Sequence, residues 1–401
     1  MPNINYINLQ IFFKKDIYWR FVFLCFVTTF FLPVGVGVTR TILYFAIVIP
    51  ALFLINKKIL NGLTRSTVFI FLILLALSPL TTTKNCGAIL DTTKFIISST
   101  CIIIGATRLQ KISSNDLRLY CLIIIYCLIA YIFINATMHF FRGTWTIGNR
   151  LLLLYGQAKS VIFTSNIIVS VLVLYSWVSL KQERKIEVAT VNCISLLLIM
   201  YFLQSRSALV VWLAAMIILV FSLDIKRLKQ AGIALLLSIS LACFVLAKSG
   251  IGSQLLARAD SYRIEIWQGY VNATLRCGWL TGCGWGSELG FITQDGISIA
   301  HPHSMYLQTF YWGGSLGLIL LLTCLGAALY EGWKKSSPLF WLLLPGTIAL
   351  AMDGKNLISS PNERWLLILL PLLFSAAEQV KSYLDIASSD NGAGSSNSEK
   401  H

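Results

Sequence analysis

An all-α polytopic integral membrane protein is the fold class that the sequence predicts, and three observations predict it. Apolar runs near membrane-spanning length recur along the whole 401-residue chain, and 56% of the residues are hydrophobic. Charged residues make up only 12%, against roughly 25% in soluble domains, and the mean hydropathy is +0.74. The alternating ten-residue segments of a transmembrane barrel are absent from the sequence. Helices, which satisfy their own backbone hydrogen bonds in lipid, are then the remaining solution.

Twelve spans are predicted, at about 17–32, 39–56, 66–80, 93–107, 117–138, 160–180, 188–203, 207–223, 231–248, 304–330, 338–352 and 364–380. Several are shorter than the roughly 20 residues of an ideal span. Lys14 and Lys15 precede the first run without a small-residue cleavage site after it, so that run is read as a retained span and not a signal peptide. The organisation expected is nine spans over 1–248, one large outer loop over 249–303 and three more spans over 304–380. The Ser/Gly/Asn-rich tail 381–401 is expected to be disordered in the cytoplasm.

The net charge is +15, but the basic residues sit in short clusters between apolar runs, as positive-inside topology requires. No basic stripe interleaved with aromatics is visible, which argues against nucleic acid as a partner. Clusters such as Lys57/Lys58/Arg65, Arg108/Lys111/Arg118 and Lys334/Lys335 occupy every second connection and are assigned to the cytoplasm. The alternate connections 33–40, 81–92, 139–159, 204–206, 249–303 and 353–363 are poorer in charge and face the other side. Most of the ten cysteines lie inside apolar runs, where a thiol behaves as a small hydrophobe. Cys277 and Cys283 share the long loop. A disulfide there needs an oxidising compartment, and two free thiols are the favoured reading.

Four places on the charge-poor side carry candidate chemistry. The 139–159 connection holds Arg142, Arg150 and Lys159 against the charge trend, and the 204–206 turn holds Arg206. A cation kept on the side that does not need it for topology suggests an anionic ligand. In the long loop, Ala259, Arg263, Trp267 and Tyr270 fall along one side of an amphipathic helix. Glycines at 278, 282, 284, 286 and 290 follow it and permit tight turns and close backbone approach. His301 and His303 flank Pro302 just before the tenth span. A metal needs three or four ligands, and no third stands at suitable spacing in the sequence, so no metal is expected. A lone imidazole suits a general base. Arg150/Lys159, Arg206, Arg263 and His303 follow five, seven, nine and nine predicted spans, an odd number each time, so all lie on one membrane face. Arginines grip phosphate oxygens in bidentate fashion and stabilise a leaving group's charge.

Three stretches resemble the O-antigen ligase/polymerase superfamily of bacterial envelope glycosyltransferases. "QSRSALVVW" is similar to its Ser-Arg-small-Ala stretch, and "SYRIEIWQGYVNATLRCGWLTGCGWGS" to its Arg-x-x-x-Trp helix and Gly-x-Gly-x-Gly turn. "AHPHSMYLQTFYWGGSLGLILL" resembles its His-Asn-x-Tyr-Leu start of a span, with Ser304 standing where the family usually has Asn. The motifs cover roughly 200–325. The resemblance implies a GT-C-like membrane glycosyltransferase in the bacterial inner membrane with its active site facing the periplasm. It assigns His303 as the catalytic base and Arg206 and Arg263 as diphosphate-binding residues, with Arg150, Lys159 and His301 as further candidate substrate contacts. The donor implied is an undecaprenyl diphosphate-linked O-antigen, the acceptor a lipid A–core, and the reaction inverting with no cofactor and no metal. A polymerase joining lipid-linked repeats is the alternative. Polymerases of this superfamily tend to carry two sizeable outer loops, whereas here only 249–303 is long, which favours the ligase. A transporter or flippase of lipid-linked glycans is a second alternative, disfavoured by nearly charge-free spans and no repeated halves. The oligomeric state stays open.

Overall fold

The computed structural model describes residues 11–83, 86–152, 155–223, 232, 262–292, 298–299, 301–355 and 357–393. The predicted ninth span at 231–248, and Ala259 of the amphipathic stretch, lie outside these residues. The described helices are α1 (Asp16–Thr28), α2 (Val36–Leu52), α3 (Lys57–Arg65), α4 (Thr67–Thr81), α5 (Cys86–Ala106), α6 (Ser114–Phe141) and α7 (Val161–Lys181). They continue with α8 (Lys185–Leu203), α9 (Arg206–Phe221), α10 (Arg263–Cys277), α11 (Met305–Lys334), α12 (Pro338–Ala349) and α13, which starts at Trp365 and runs to Ala393. Each predicted span within the described residues coincides with one of them. Small polar residues set where they start: side-chain oxygens of Asn56, Ser66, Ser113, Ser160, Ser304 and Ser337 accept backbone N–H groups of the first turns of α3, α4, α6, α7, α11 and α12.

The protein is therefore an all-α polytopic membrane protein. Among the described residues, six helices are long and apolar enough to cross a membrane, and α2 with α3, bent by 113°, would make a seventh. The helices α4, α9 and α12 are apolar but shorter, so twelve full crossings go beyond what these lengths carry. Helix α7 is almost wholly buried and packs against α6, α8, α9 and α12. With little hydrophobic drive between helices in lipid, polar contacts help to fix their register. Asn192 of α8 donates to Ser176 of α7 at 2.9 Å and accepts from the Trp212 indole of α9 at 2.8 Å.

The connections sort into two sets by their contacts. At one end Arg20 reaches the Gln110 carbonyl, Arg118 pairs with Glu187 at 2.5 Å, and Lys381 donates to the Leu109 carbonyl at 3.0 Å. The expected tail boundary at 380 is corrected here: the helix continues to Ala393, because Lys381 and Tyr383, the latter under the Arg65 guanidinium at 4.6 Å, still pack on the bundle. At the other end, Gln157 and Ala158 donate to the Phe30 carbonyl, Leu151 donates to that of Phe202, and Trp285 to that of Pro79. Arg40 reaches Ser360, and Lys355 pairs with Glu288 at 3.7 Å. These contacts bring together the six connections that were predicted to share a face.

Candidate functional site

Helix α11 is interrupted near its start. Gly314 has φ +63° and ψ −161°, outside any helical region, in a conformation essentially confined to glycine. A break inside a span leaves backbone groups without partners, and these must be satisfied by protein. The glycine-rich loop after α10 supplies them. Cys283 and Gly284 donate to the carbonyls of Tyr311 and Trp312 at 2.8 and 2.9 Å, and Ser315 and Leu316 donate to those of Trp279 and Leu280 at 2.8 and 3.2 Å. Gly282, with φ +68°, lies so close that a Cβ there would come within 2.5 Å of the Gly314 nitrogen. Cys277 and Cys283 form a disulfide, which corrects the two-thiol reading: the turn that docks on α11 brings their Cα atoms to 5.0 Å.

Helix α10 stands on this loop. Tyr270 is buried edge-on against Tyr311 of α11, with ring centroids 5.1 Å apart. The Trp267 indole donates to the carbonyl of Pro302 at 2.9 Å. Arg263, the first residue of α10, thus lies one helical turn from the tryptophan that holds the peptide between the two histidines.

His303 is the centre of the arrangement. Its backbone is left-handed, with φ +50°, a conformation that costs a non-glycine residue about 1–3 kcal/mol and clusters at functional sites. Its N–H donates to His301 Nδ1 at 3.3 Å, and the two rings meet edge to face at 4.2 Å. Its Nδ1 lies 3.4 Å from Asp353 Oδ1. Asp353 also accepts the Gly354 N–H at 2.8 Å. Burial alone would raise the Asp353 carboxyl, but His303's hydrogen bond and charge, the Gly354 N–H and His301 outweigh it and hold it below the usual carboxylate range. His301 is shifted down, first by burial and then by the neighbouring His303. The His303 side chain is 36% exposed and that of Asp353 only 9%, so a substrate can reach the imidazole but not the carboxylate behind it. Ser304 caps α11 by accepting the Leu307 N–H at 3.5 Å. Serine and asparagine cap equally well, which gives a structural reason for the exchange at this position.

The expectation that no third ligand stands near the histidines is corrected. His301, His303 and Asp353 offer ligand atoms within 4.8 Å of one another, because the Met305 N–H to Leu350 carbonyl bond at 2.9 Å seats the 350–355 connection on the start of α11. Three such ligands with an open position could hold zinc. Here the Nδ1 atoms of both rings are taken up by hydrogen bonds within the trio.

Arg206 begins α9, directly after Gln204 in the left-handed conformation and the N-cap Ser205. The 139–159 connection packs on this turn: Arg150 Nε donates to the Leu203 carbonyl at 3.1 Å, and Gln204 to that of Gly148 at 3.0 Å. Arg150 is thus tied to the backbone at the Arg206 turn, while Lys159 lies toward Glu363. Burial raises the Glu363 carboxyl; Arg364 and Lys159 pull it down, and Asp353 pushes it up. Burial lowers Arg364, whose Nε donates to Asn362 at 3.0 Å. Glu363 and Arg364 belong to the site's charge network although no spacing in the sequence links them to His303. Their only sequence signal is that they are charged residues on the charge-poor face.

The fold and the site define a class: a multi-pass helical membrane protein with a part-exposed histidine backed by a buried carboxylate, and arginines at the starts of two helices. The family model of the O-antigen ligases matches residues 191–322, a stretch that contains Arg206, Arg263 and His303. The chain is 29% identical over 205 residues to the O-antigen ligase of Pseudomonas aeruginosa. The match covers 49% of each, so it spans about half the length of that relative.

Proposed function

We propose that the protein is an O-antigen ligase of the bacterial inner membrane, transferring a glycan from undecaprenyl diphosphate to a lipid A–core at the periplasmic face. The observation that carries this reading is the His303–Asp353 pair, adjoining the helix that begins with Arg263. With Asp353 accepting from Nδ1–H, the His303 Nε2 is left with its lone pair. That nitrogen takes the proton from an acceptor sugar hydroxyl. The hydroxyl oxygen attacks the anomeric carbon, the carbon–oxygen bond to the diphosphate breaks, and the lipid diphosphate leaves. Attack from the side opposite the leaving group inverts the anomeric configuration.

Arg206 and Arg263 hold the departing diphosphate in this reading. Each opens a helix, where backbone N–H groups and the helix dipole add to the guanidinium's attraction for an anion. The energy comes from the glycan–diphosphate bond, so no nucleotide takes part, and with the arginines holding the leaving group no metal is required. The test is transfer by the purified protein from a lipid-diphosphate glycan to lipid A–core in the presence of a chelator. A ligase forms the glycosylated core with inverted configuration. Extension of one lipid-linked repeat by another would identify a polymerase, and movement of donor across vesicles without transfer would identify a flippase.

A further inference from the structure

A cavity of about 610 Å³ lies between the 33–35 and 139–159 connections, within the roughly 300–1,000 Å³ usual for small-molecule sites. Arg142, Lys159, His139, Thr144 and Tyr155 line it, and among the described residues no carboxylate does. Its wall is built, not incidental. The Tyr155 ring stacks on His139, with centroids 5.2 Å apart and planes 20° apart, and the Arg142 guanidinium sits over the same ring at 5.4 Å. Arg142 also donates to the Tyr155 hydroxyl. His139 is only 7% exposed; its Nδ1 bonds Thr144 at 2.7 Å, while its Nε2 is buried with no hydrogen-bond partner among the described residues. The Tyr155 N–H is fixed by Asn135 at 2.7 Å. Gly156, with φ +82°, presses so closely on residues 30–32 that a Cβ would come within 2.7 Å of the Leu32 carbonyl oxygen. The guanidinium is thereby held in place before any ligand arrives, which reduces the entropy lost on binding.

Two cations on a wall without a carboxylate call for an anion. Arg206 and Arg263 line none of the cavity, so it is a second set of cations, apart from those assigned to the donor diphosphate. An inverting transfer brings donor and acceptor to opposite sides of the anomeric carbon, and a separate anion site therefore belongs with the acceptor. We propose that the cavity is a subsite for an anionic sugar of the acceptor glycolipid, its phosphate held by Arg142 and Lys159. Assigning it to the acceptor rests on the ligase reading; the binding of a phosphorylated sugar headgroup does not.

The test uses the full chain in nanodiscs, with an acceptor glycolipid carrying a sugar phosphate and the same glycolipid after phosphatase treatment. Binding is read by thermophoresis and transfer by steady-state kinetics. The Arg142→Gln variant should bind the phosphorylated glycolipid about tenfold more weakly. Its acceptor KM should rise by a similar factor, with kcat within about twofold and donor KM unchanged. The dephosphorylated glycolipid should bind the wild type as weakly as the phosphorylated one binds the variant, and Arg142→Lys should recover part of the loss. Equal wild-type affinity for the two glycolipids overturns the proposal, as does a variant whose defect falls on donor KM. Inorganic phosphate bound with the same variant sensitivity, without discrimination between the glycolipids, overturns it in favour of a free-phosphate site. Discrimination in binding with no transfer to either acceptor would sink the ligase reading and leave the subsite standing.

Discussion

His303 holds its left-handed backbone against a cost because three contacts fix it: His301 below the N–H, Asp353 at Nδ1, and Trp267 on the preceding peptide. His303→Ala should abolish transfer, while the chain still inserts and elutes as a folded species; turnover near wild type would remove the proposed base. Asp353 makes a second, pH-dependent prediction. A carboxyl held below its ordinary value stabilises the folded state above the unfolded pKa of about 4 and loses that contribution as the pH falls through the lower folded value. Asp353→Asn should therefore lower Tm at pH 7, with the gap to wild type closing below about pH 4. Transfer should fall at least about tenfold through loss of the imidazole's orientation. A Tm difference that does not change with pH would mean that no ionised pair exists. The imidazole could be picked out from the sequence because a histidine at the mouth of an apolar run is conspicuous. Its partner could be named only as a charge on the same face, since nothing in local spacing relates positions fifty residues apart.

At the scale of elements, the interrupted start of α11 and the glycine loop after α10 form one unit. The loop's N–H and carbonyl groups replace the bonds that α11 gives up at Gly314. Gly314→Ala would place a Cβ 2.3 Å from the Leu280 carbonyl in a region of φ/ψ that alanine avoids. It should cost at least about 3 kcal/mol, seen as a large drop in Tm in detergent, and release α10 from the histidines. Wild-type stability would show that the break is not held by this docking. The sequence marked α10 as amphipathic and the glycines as permissive, but not what that side of the helix packs against. Burial of Tyr270 against Tyr311 places that side of it on α11. The disulfide and the extension of α13 to Ala393 were missed for the same reason: both depend on what a segment packs against.

For the whole molecule, contacts at one end of the bundle join the connections that the charge pattern groups together. Two outcomes belong to this scale. Deleting the gene should leave lipid A–core without O-antigen, whereas core carrying a single repeat would indicate a lost polymerase. Transfer should also survive chelation of divalent ions; loss restored specifically by zinc would turn His301, His303 and Asp353 into a metal site and overturn the metal-free chemistry.

By itself the sequence determined the helical membrane class and marked the arginines and the histidine as candidates, because hydropathy, charge and motif are local properties of the chain. Tertiary structure alone decided that Asp353 backs His303 and that Arg142 is clamped over Tyr155. Those facts rest on which connections meet at the end of the bundle, and packing between distant segments leaves no periodic trace in any one of them.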